Sequence, residues 1–201
     1  MTLSPRKQNP PASGTGTRQA LLEAAASAFN TDGYFGTDTN RIARRAGFAP
    51  QTFYRHFSDK LDVFLAVYEQ WQRSEATVLA AALKAAPASD RASTAADVII
   101  RHHRDWAVFR RSLRLLAVEE PRVRAARAEG RTAQIGALAA LRTNAGRSRA
   151  DLAAAILTIE RLCDALADAE HEDLCLSGAD WTRQIELAVA AARGEPGADT
   201  Q

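Results

Sequence analysis

Hydrophobic positions in the first third of the chain recur at helical spacing. From Arg18 onward, apolar residues return every three or four positions, which is typical of one face of a helix, and the pattern stops at Asp32-Gly33. Gly33 can adopt the left-handed backbone conformation that ends a helix. Thr37 is a suitable N-cap for a short second helix, and Gly47 ends it. The pattern therefore predicts two helices in close succession.

A third and a fourth helix follow without a long loop. Pro50 suits the first position of a helix, where a missing N–H costs nothing, and Phe53 and Phe57 lie one turn apart on one face. Ser58 can cap a long fourth helix whose apolar residues keep helical spacing as far as Pro87. The breaks thus separate three successive helices.

The second half of the chain is rich in alanine, which favours helix over strand. Further helices are predicted at about 91–108, 109–119, 122–144, 149–170 and 180–193. The predicted fold class is all-α, with about nine helices. The predicted divisions are a flexible arm at 1–16, an N-terminal domain at 17–60, a linking helix from about 58 to 86, a C-terminal domain at 61–193 and a flexible tail at 194–201.

Charge and composition narrow the class of protein. The net charge is +2, but residues 1–57 hold seven Lys and Arg against three Asp and Glu, which suggests that the N-terminal part faces nucleic acid. No stretch approaches the roughly 20 apolar residues that cross a bilayer, so we expect a cytoplasmic protein without membrane contact. Cys163 and Cys175 form no C-x-x-C motif and are expected to remain thiols.

The second and third helices have the residue types of a helix–turn–helix. Ala43 is small enough for a close approach of the two helices, and Gly47 permits the positive backbone angle of the turn. Ile42, Phe48 and Phe53 can fill the space between the helices. Two helices that cross steeply over a short turn need this combination.

The third helix then has one inward and one outward face. If Phe53 and Phe57 point inward, the helical period places Gln51 and Arg55 on the opposite side, with Thr52 beside them. Arginine can pair with guanine and glutamine with adenine in a major groove. A plainer interpretation stays open, because any helical protein exposes Arg and Gln.

Hydroxyl groups and cations surround this outward face and can hold phosphates. The predicted DNA-binding residues are Thr37, Arg44, Arg45, Pro50, Gln51, Thr52, Tyr54, Arg55, His56 and Lys60.

The segment Arg18–Trp71 resembles the DNA-binding domain of the tetracycline-repressor (TetR) family of bacterial transcription regulators. The matching stretches are LLEAAASAFNTDGY, RIARRAGFAP and TFYRHFSDK. The resemblance implies a three-helix DNA-reading domain, a homodimer and a helical C-terminal domain that binds a small effector. It also implies that Thr37, Tyr54, His56 and Lys60 hold phosphates. Thr39 departs from the family pattern, which usually has an apolar residue there.

Two further departures from the family pattern lie at helix 3, and the resemblance also implies a role for the last two helices. Ala49 stands where the family usually has a capping Ser or Thr, and Gln51 replaces a commonly small residue. The last two helices are expected to pair in the dimer, although their apolar stripes also suit an ordinary core. The predicted dimer-interface residues are Leu152, Ile156, Ile159, Cys163, Leu166, Trp181 and Ile185.

The middle helices carry the candidates for an effector pocket. The bulky residues that stand out against alanine are His102, His103, Trp106 and Phe109. Core packing explains the aromatic residues equally well. The stretch 101–131 carries nine Arg. A solvated helix face accounts for them, and the alternative is a site for an anionic ligand. An acidic run from Asp168 to Asp173 lacks the spacing of metal ligands, so no metal and no cofactor are predicted.

These patterns predict a ligand-responsive transcription regulator. We expect a repressor that binds an inverted-repeat operator in double-stranded DNA as a homodimer and is released by a small molecule. The alternative is a small-molecule or protein binding module with little DNA affinity. An enzyme is not expected, because Ser58, His56 and Asp59 are merely adjacent in sequence and no G-x-S-x-G motif occurs.

Overall fold

Helices form most of the chain that the structure describes. The computed structural model describes residues 14–195, and this range contains no β-strand, so the all-α prediction is confirmed. The α-helices are α1 (Gly14–Asp32), α2 (Thr39–Arg45), α3 (Pro50–Phe53), α4 (Lys60–Ala85), α5 (Arg91–Asp105), α6 (Ala107–Glu119), α7 (Pro121–Ala139), α8 (Arg149–Ala167), α9 (Glu170–Asp173) and α10 (Gly178–Arg193). Short 3-10 turns lie at Ala88–Asp90 and Arg142–Asn144.

The chain divides into two compact units, Met1–Glu69 and Gln70–Gln201. The division falls inside α4, which begins in the first unit and ends in the second, whereas the sequence predicted a boundary at residues 60 and 61. The predicted N-terminal arm is too long, because residues 14–16 already belong to α1. The rest of that arm and residues 196–201 of the predicted tail lie outside the described residues.

The first unit has an apolar core with many aromatic rings. Leu21, Phe29, Ile42, Phe53 and Phe64 are fully buried there. The rings of Phe29 and Phe64 pack edge to face with their centroids 5.1 Å apart. Burying each such side chain contributes about 1.5–3 kcal/mol, so α1, the short helices α2 and α3, and the start of α4 can hold a fixed arrangement.

Two helix caps differ from the sequence prediction in the same way. Asp38 Oδ1 accepts a backbone N–H in the first turn of α2 at 2.8 Å, so Asp38 rather than Thr37 is the N-cap. Asp59 Oδ1 accepts a backbone N–H in the first turn of α4 at 2.6 Å, at the place predicted for Ser58. In each case a carboxylate follows the predicted hydroxyl residue, and a negative charge also favours the positive end of the helix dipole.

The second unit is a helical bundle in which α5, α8 and α10 pack against one another. Its main apolar cluster consists of Ala95, Ala96, Ile100, Cys163, Leu166, Ile185 and Val189. A smaller cluster joins α7 to α8 through Ile135, Leu152 and Ile156. Where the structure describes the chain, no helix is long and apolar enough to cross a lipid bilayer.

Candidate nucleic-acid interface

The turn between α2 and α3 is fixed by its backbone. Gly47 has a φ of +82°, which a residue with a side chain rarely adopts. The N–H of Phe48 donates to the carbonyl of Ala43 at 2.9 Å, which closes the end of α2. Pro50 begins α3 without a side-chain cap from Ala49. This geometry is the predicted helix–turn–helix.

Helix α3 has the two faces that the sequence predicted, although it is only four residues long. Phe53 is fully buried and Phe57, just beyond the helix, is 2% exposed, while Gln51 and Arg55 are exposed. The guanidinium carbon of Arg18 lies 4.8 Å from the centroid of the Phe57 ring, which adds a cation–π contact from α1. The buried rings therefore fix the backbone from which Gln51 and Arg55 project.

A cationic cavity of about 240 Å³ opens beside α2. Arg41, Arg44 and Arg45 line it together with Thr37, Asp32 and Ala28. Arg41 forms an ion pair with Asp32 at 3.3 Å, whereas Arg44 and Arg45 extend into solvent. The Thr37 hydroxyl is buried and has no hydrogen-bond partner within residues 14–195. Such a cavity can receive an anion, because it supplies guanidinium donors and a free hydroxyl.

Lys60, which the sequence predicted to hold a phosphate, is turned towards the loop between α1 and α2. Its Nζ donates to the backbone carbonyls of Tyr34 at 2.9 Å and Thr37 at 3.1 Å, and it lies 4.1 Å from the centroid of the Tyr34 ring. Burial lowers the pKa of Lys60, against the opposing effect of nearby Asp38. Two of its three N–H donors are used inside the unit, so we assign Lys60 to holding the loop between α1 and α2.

The remaining predicted DNA-binding residues lie along α3 and the turn after it. Tyr54 is 58% exposed, and its hydroxyl lies 3.0 Å from the Thr39 hydroxyl. Pro50, Thr52 and His56 are half-buried. The first unit thus brings together exposed base-reading candidates and groups that can bind phosphates.

The residues predicted for an effector pocket fill space in the second unit. His103 and Phe109 are buried, and Trp106 packs edge to face on Phe109 at 5.6 Å. His102 stacks on Trp71 with ring centroids 4.7 Å apart. The second cavity, about 250 Å³ in volume, is lined instead by residues at the start of α5 and along α10. The four residues contribute to packing rather than to either of these two cavities.

A buried charged cluster surrounds His103, and the sequence reading missed its other members. Arg110 donates from Nε to Asp164 Oδ1 at 2.6 Å and from Nη2 to Oδ2 at 3.1 Å. His103 Nδ1 lies 3.2 Å from Asp164 Oδ1, and its Nε2 lies 3.8 Å from Glu75 Oε1. Glu75 is 7% exposed, and its Oε1 has no hydrogen-bond partner among the residues described. One feature of the sequence could have indicated this cluster, because Asp164 is an acidic residue within the apolar stripe of α8.

Burial and neighbouring charges shift the pKa values in this cluster. Burial raises the pKa of Glu75 to about 7, although Arg110 opposes the shift. Burial, assisted by Arg110, lowers the pKa of His103 to about 4. Burial alone would raise the pKa of Asp164, but hydrogen bonds from His103 and Arg110 hold it well below its usual range. At neutral pH, His103 is therefore neutral and Asp164 is ionised.

The surrounding acidic residues are occupied by arginines. Asp168 pairs with Arg114 and, at 2.9 Å, with Arg111. Glu160 pairs with Arg131 at 2.5 Å and with Arg127 at 3.4 Å. Many of the arginines of 101–131 are thus bound to carboxylates of α8 and the residue after it.

The structure places most of the predicted dimer-interface residues inside their own unit. Leu152, Ile156, Cys163, Leu166 and Ile185 are all buried inside the single chain. The other two, Ile159 and Trp181, are half-buried and pack on the same core. These side chains bind α8 and α10 to their own unit, which leaves them little surface to offer a second copy.

Comparisons with known proteins agree with this geometry. The model for bacterial regulatory proteins of the tetR family matches residues 21–67. Over 53 residues the chain is 42% identical to the HTH-type transcriptional activator FasR of Mycolicibacterium smegmatis, a match that covers 26% of this chain and only 24% of FasR.

Several solved structures share the fold over most of their length. A transcriptional regulator from Rhodococcus sp. Rha1 is 16% identical with a TM-score of 0.69, covering 87% of this chain and 95% of that chain. The fatty acid degradation regulator FadR from Bacillus halodurans is 14% identical with a TM-score of 0.64, covering 92% and 96%. A regulatory protein of the tetR family from Rhodococcus RHA1 is 21% identical with a TM-score of 0.60, covering 91% and 98%.

Proposed function

Because the chain belongs to the TetR family of bacterial regulatory proteins, we propose that it binds an inverted-repeat DNA operator as a homodimer and regulates transcription. In this proposal a small molecule binds the second unit and releases the protein, which acts as a repressor in the cytoplasm and is associated with the nucleoid while bound. FasR is named an activator. Transcription from a promoter that carries the operator must therefore be measured with and without the protein, to decide whether the protein lowers or raises it.

One observation supports DNA binding above the others. Gln51 on α3 and Arg55 in the turn after it are exposed, and the buried rings of Phe53 and Phe57 anchor the same segment to the first unit. Side chains that read bases must be held rigidly, because each good pair discriminates by only about 1–3 kcal/mol. The arginines of the cationic cavity can then supply phosphate contacts that fix the orientation.

A dimer is proposed because one such domain offers few base contacts. Specific DNA binding usually needs dissociation constants of about 10⁻⁸ to 10⁻¹¹ M, which two half-sites can supply. On α8, the exposed stripe consists of Ala150, Ala154, Leu157, Thr158 and Arg161. On α10, Gln184, Ala188 and Ala191 keep accessible surface. We propose that the dimer contact lies on these residues, since the four alanines among them let the helices approach closely.

The buried charged cluster supports a ligand-responsive second unit. Arg110 and Asp164 are 3% and 4% exposed, and burying an ion pair is often less favourable than packing apolar residues of similar volume. Glu75 also keeps a carboxylate oxygen unsatisfied within the described chain. A unit that served only to dimerise would need no such groups, because apolar residues of similar volume are often as stable or more stable. The effector is therefore proposed to act on this unit, by a coupling of about 5- to 150-fold in DNA affinity.

The test begins with selection of bound sequences from a random duplex pool by the full chain. We expect an inverted repeat, two chains bound per duplex, and a log–log salt slope near −5 if about six phosphates are neutralised. Arg55→Ala should reduce the preference for the selected duplex over a scrambled one by about 5- to 150-fold per half-site. Arg45→Ala should weaken both duplexes equally and make the slope shallower. Arg104→Ala, an exposed arginine on α5, is the matched control.

The outcomes separate the candidate functions. No selected sequence and no salt dependence would refute DNA binding and favour the binding-module alternative. If Arg55→Ala weakened both duplexes equally, the base-reading face would be misassigned. Small molecules are then screened for release of the selected duplex, and a protein that no compound releases would contradict the effector part alone.

A further inference from the structure

The hydroxyl of Tyr54 is held at a fixed place although the residue is exposed. The Tyr54 ring packs edge to face on buried Phe53, with centroids 5.4 Å apart and planes at 80°. At the other end of the side chain, its hydroxyl lies 3.0 Å from Thr39 Oγ1. Thr39 is the first residue of α2, which is anchored by fully buried Ile42. The phenol is therefore fixed at both ends by rigid parts of the first unit.

The two hydroxyl groups leave one hydrogen for an outside partner. Each hydroxyl carries a single hydrogen and can also accept, so the bond between Thr39 and Tyr54 uses only one of the two hydrogens. A hydroxyl that accepts a hydrogen bond becomes a better donor itself. Tyr54 reaches solvent, and a phosphate oxygen is a strong, charged acceptor.

We propose that Thr39 is a positioning residue for DNA binding, which donates to the Tyr54 hydroxyl and thereby aims its O–H at a backbone phosphate of the operator. The inference rests on the proposed function. Thr39 acts through Tyr54 and need not touch DNA.

The test is a double-mutant cycle on the duplex selected by the wild-type chain. Thr39→Val removes the hydroxyl and keeps the shape, and Tyr54→Phe removes its partner. Losing one such hydrogen bond should weaken binding about 5-fold per half-site, and so about 25-fold for a dimer. The double variant should bind no more weakly than Tyr54→Phe alone. Thr39→Ser, which keeps the hydroxyl, should bind the duplex almost as tightly as the wild type.

Two further measurements exclude simpler explanations. The salt slope should stay unchanged in Thr39→Val, because a neutral hydroxyl releases no counterion from DNA. Thr77→Val, an exposed threonine of α4 whose hydroxyl donates to its own helix backbone, should bind like the wild type. Thermal unfolding of Thr39→Val should match the wild type, since the Thr39 hydroxyl is bonded near the surface.

The possible results distinguish failure of this inference from failure of the proposed DNA-binding function. If Thr39→Val binds normally, or if the two single effects add in the double variant, Thr39 does not act through Tyr54 and the inference is wrong. Weakened binding that accompanies a lower unfolding temperature without coupling to Tyr54 would overturn it equally. A wild-type chain that selects no duplex would refute the proposed function itself.

Discussion

Replacing Glu75 by Gln should change how the stability of the second unit depends on pH. The carboxyl group is 7% exposed and lies among His103, Arg110, Asp164 and Glu160. Burial raises its pKa to about 7, from 4.5 in an exposed chain. The folded chain therefore binds the Glu75 proton more tightly than the unfolded chain, by about 3 kcal/mol. Because the folded pKa is raised, this stability is present below about pH 4.5 and is lost as pH rises through about 7.

The Gln side chain has a similar shape and loses no proton. Glu75→Gln should match the wild type within about 1 kcal/mol near pH 4.5 and exceed it by about 2–3 kcal/mol near pH 8. The lowered pKa of His103 acts in the opposite direction, since its contribution is lost as pH falls below about 6.5 towards 4. That contribution is common to both proteins, so their difference isolates Glu75.

Urea unfolding at several pH values and one fixed protein concentration measures the difference, since dimer formation makes stability concentration-dependent. Glu129→Gln, an exposed position on α7, is the matched control and should follow the wild type. A constant difference between wild type and Glu75→Gln across this pH range would refute the reasoning. It would mean that water or a conformational change solvates the Glu75 carboxylate in the folded chain.

The remaining predictions concern buried or inward-facing charges. Asp164→Asn removes the carboxylate charge that faces buried Arg110 and should cost about 3–5 kcal/mol in urea unfolding, whereas Asp164→Leu combined with Arg110→Met should recover most of it. A double variant as unstable as Asp164→Asn would show that the pair is not the source of the loss. Lys60→Met should lower stability by about 1–3 kcal/mol and leave the salt slope of DNA binding unchanged, since both hydrogen bonds of Lys60 go to backbone carbonyls. If Lys60→Met made the salt slope of DNA binding shallower and left the stability unchanged, Lys60 would be a phosphate contact after all.

Local signals made the first unit predictable. Helical spacing marked the buried positions Phe53 and Phe57, and Gly47 marked a turn that needs a positive φ. These features depend on residues within a few positions of one another. The caps were wrong by one residue because Thr37 and Asp38 are adjacent candidates, and only the backbone shows which of them precedes the first helical turn.

Partners distant in sequence were beyond the same reasoning. Lys60 has the expected type for a phosphate contact, but its acceptors are backbone carbonyls that become accessible only when the loop after α1 has folded. The stripe of α8 that contains Ile156 is apolar enough to pack on its own chain or on a second copy, and sequence alone does not distinguish the two. Asp164 and Arg110 are separated by 54 residues, so neither predicts the other.

The interiors of the two units differ in their chemistry, and this difference is relevant to the proposed regulation. The first unit packs rings such as Phe29 and Phe64, whose energy does not depend on pH or on ions. The second unit buries Arg110 with Asp164 and leaves Glu75 facing a neutral His103. A proton or a polar ligand that binds among these groups changes their energy by several times RT, whereas apolar packing has no comparable sensitivity. The proposed release by an effector would therefore act on the charged cluster of the second unit and not on the apolar core of the first.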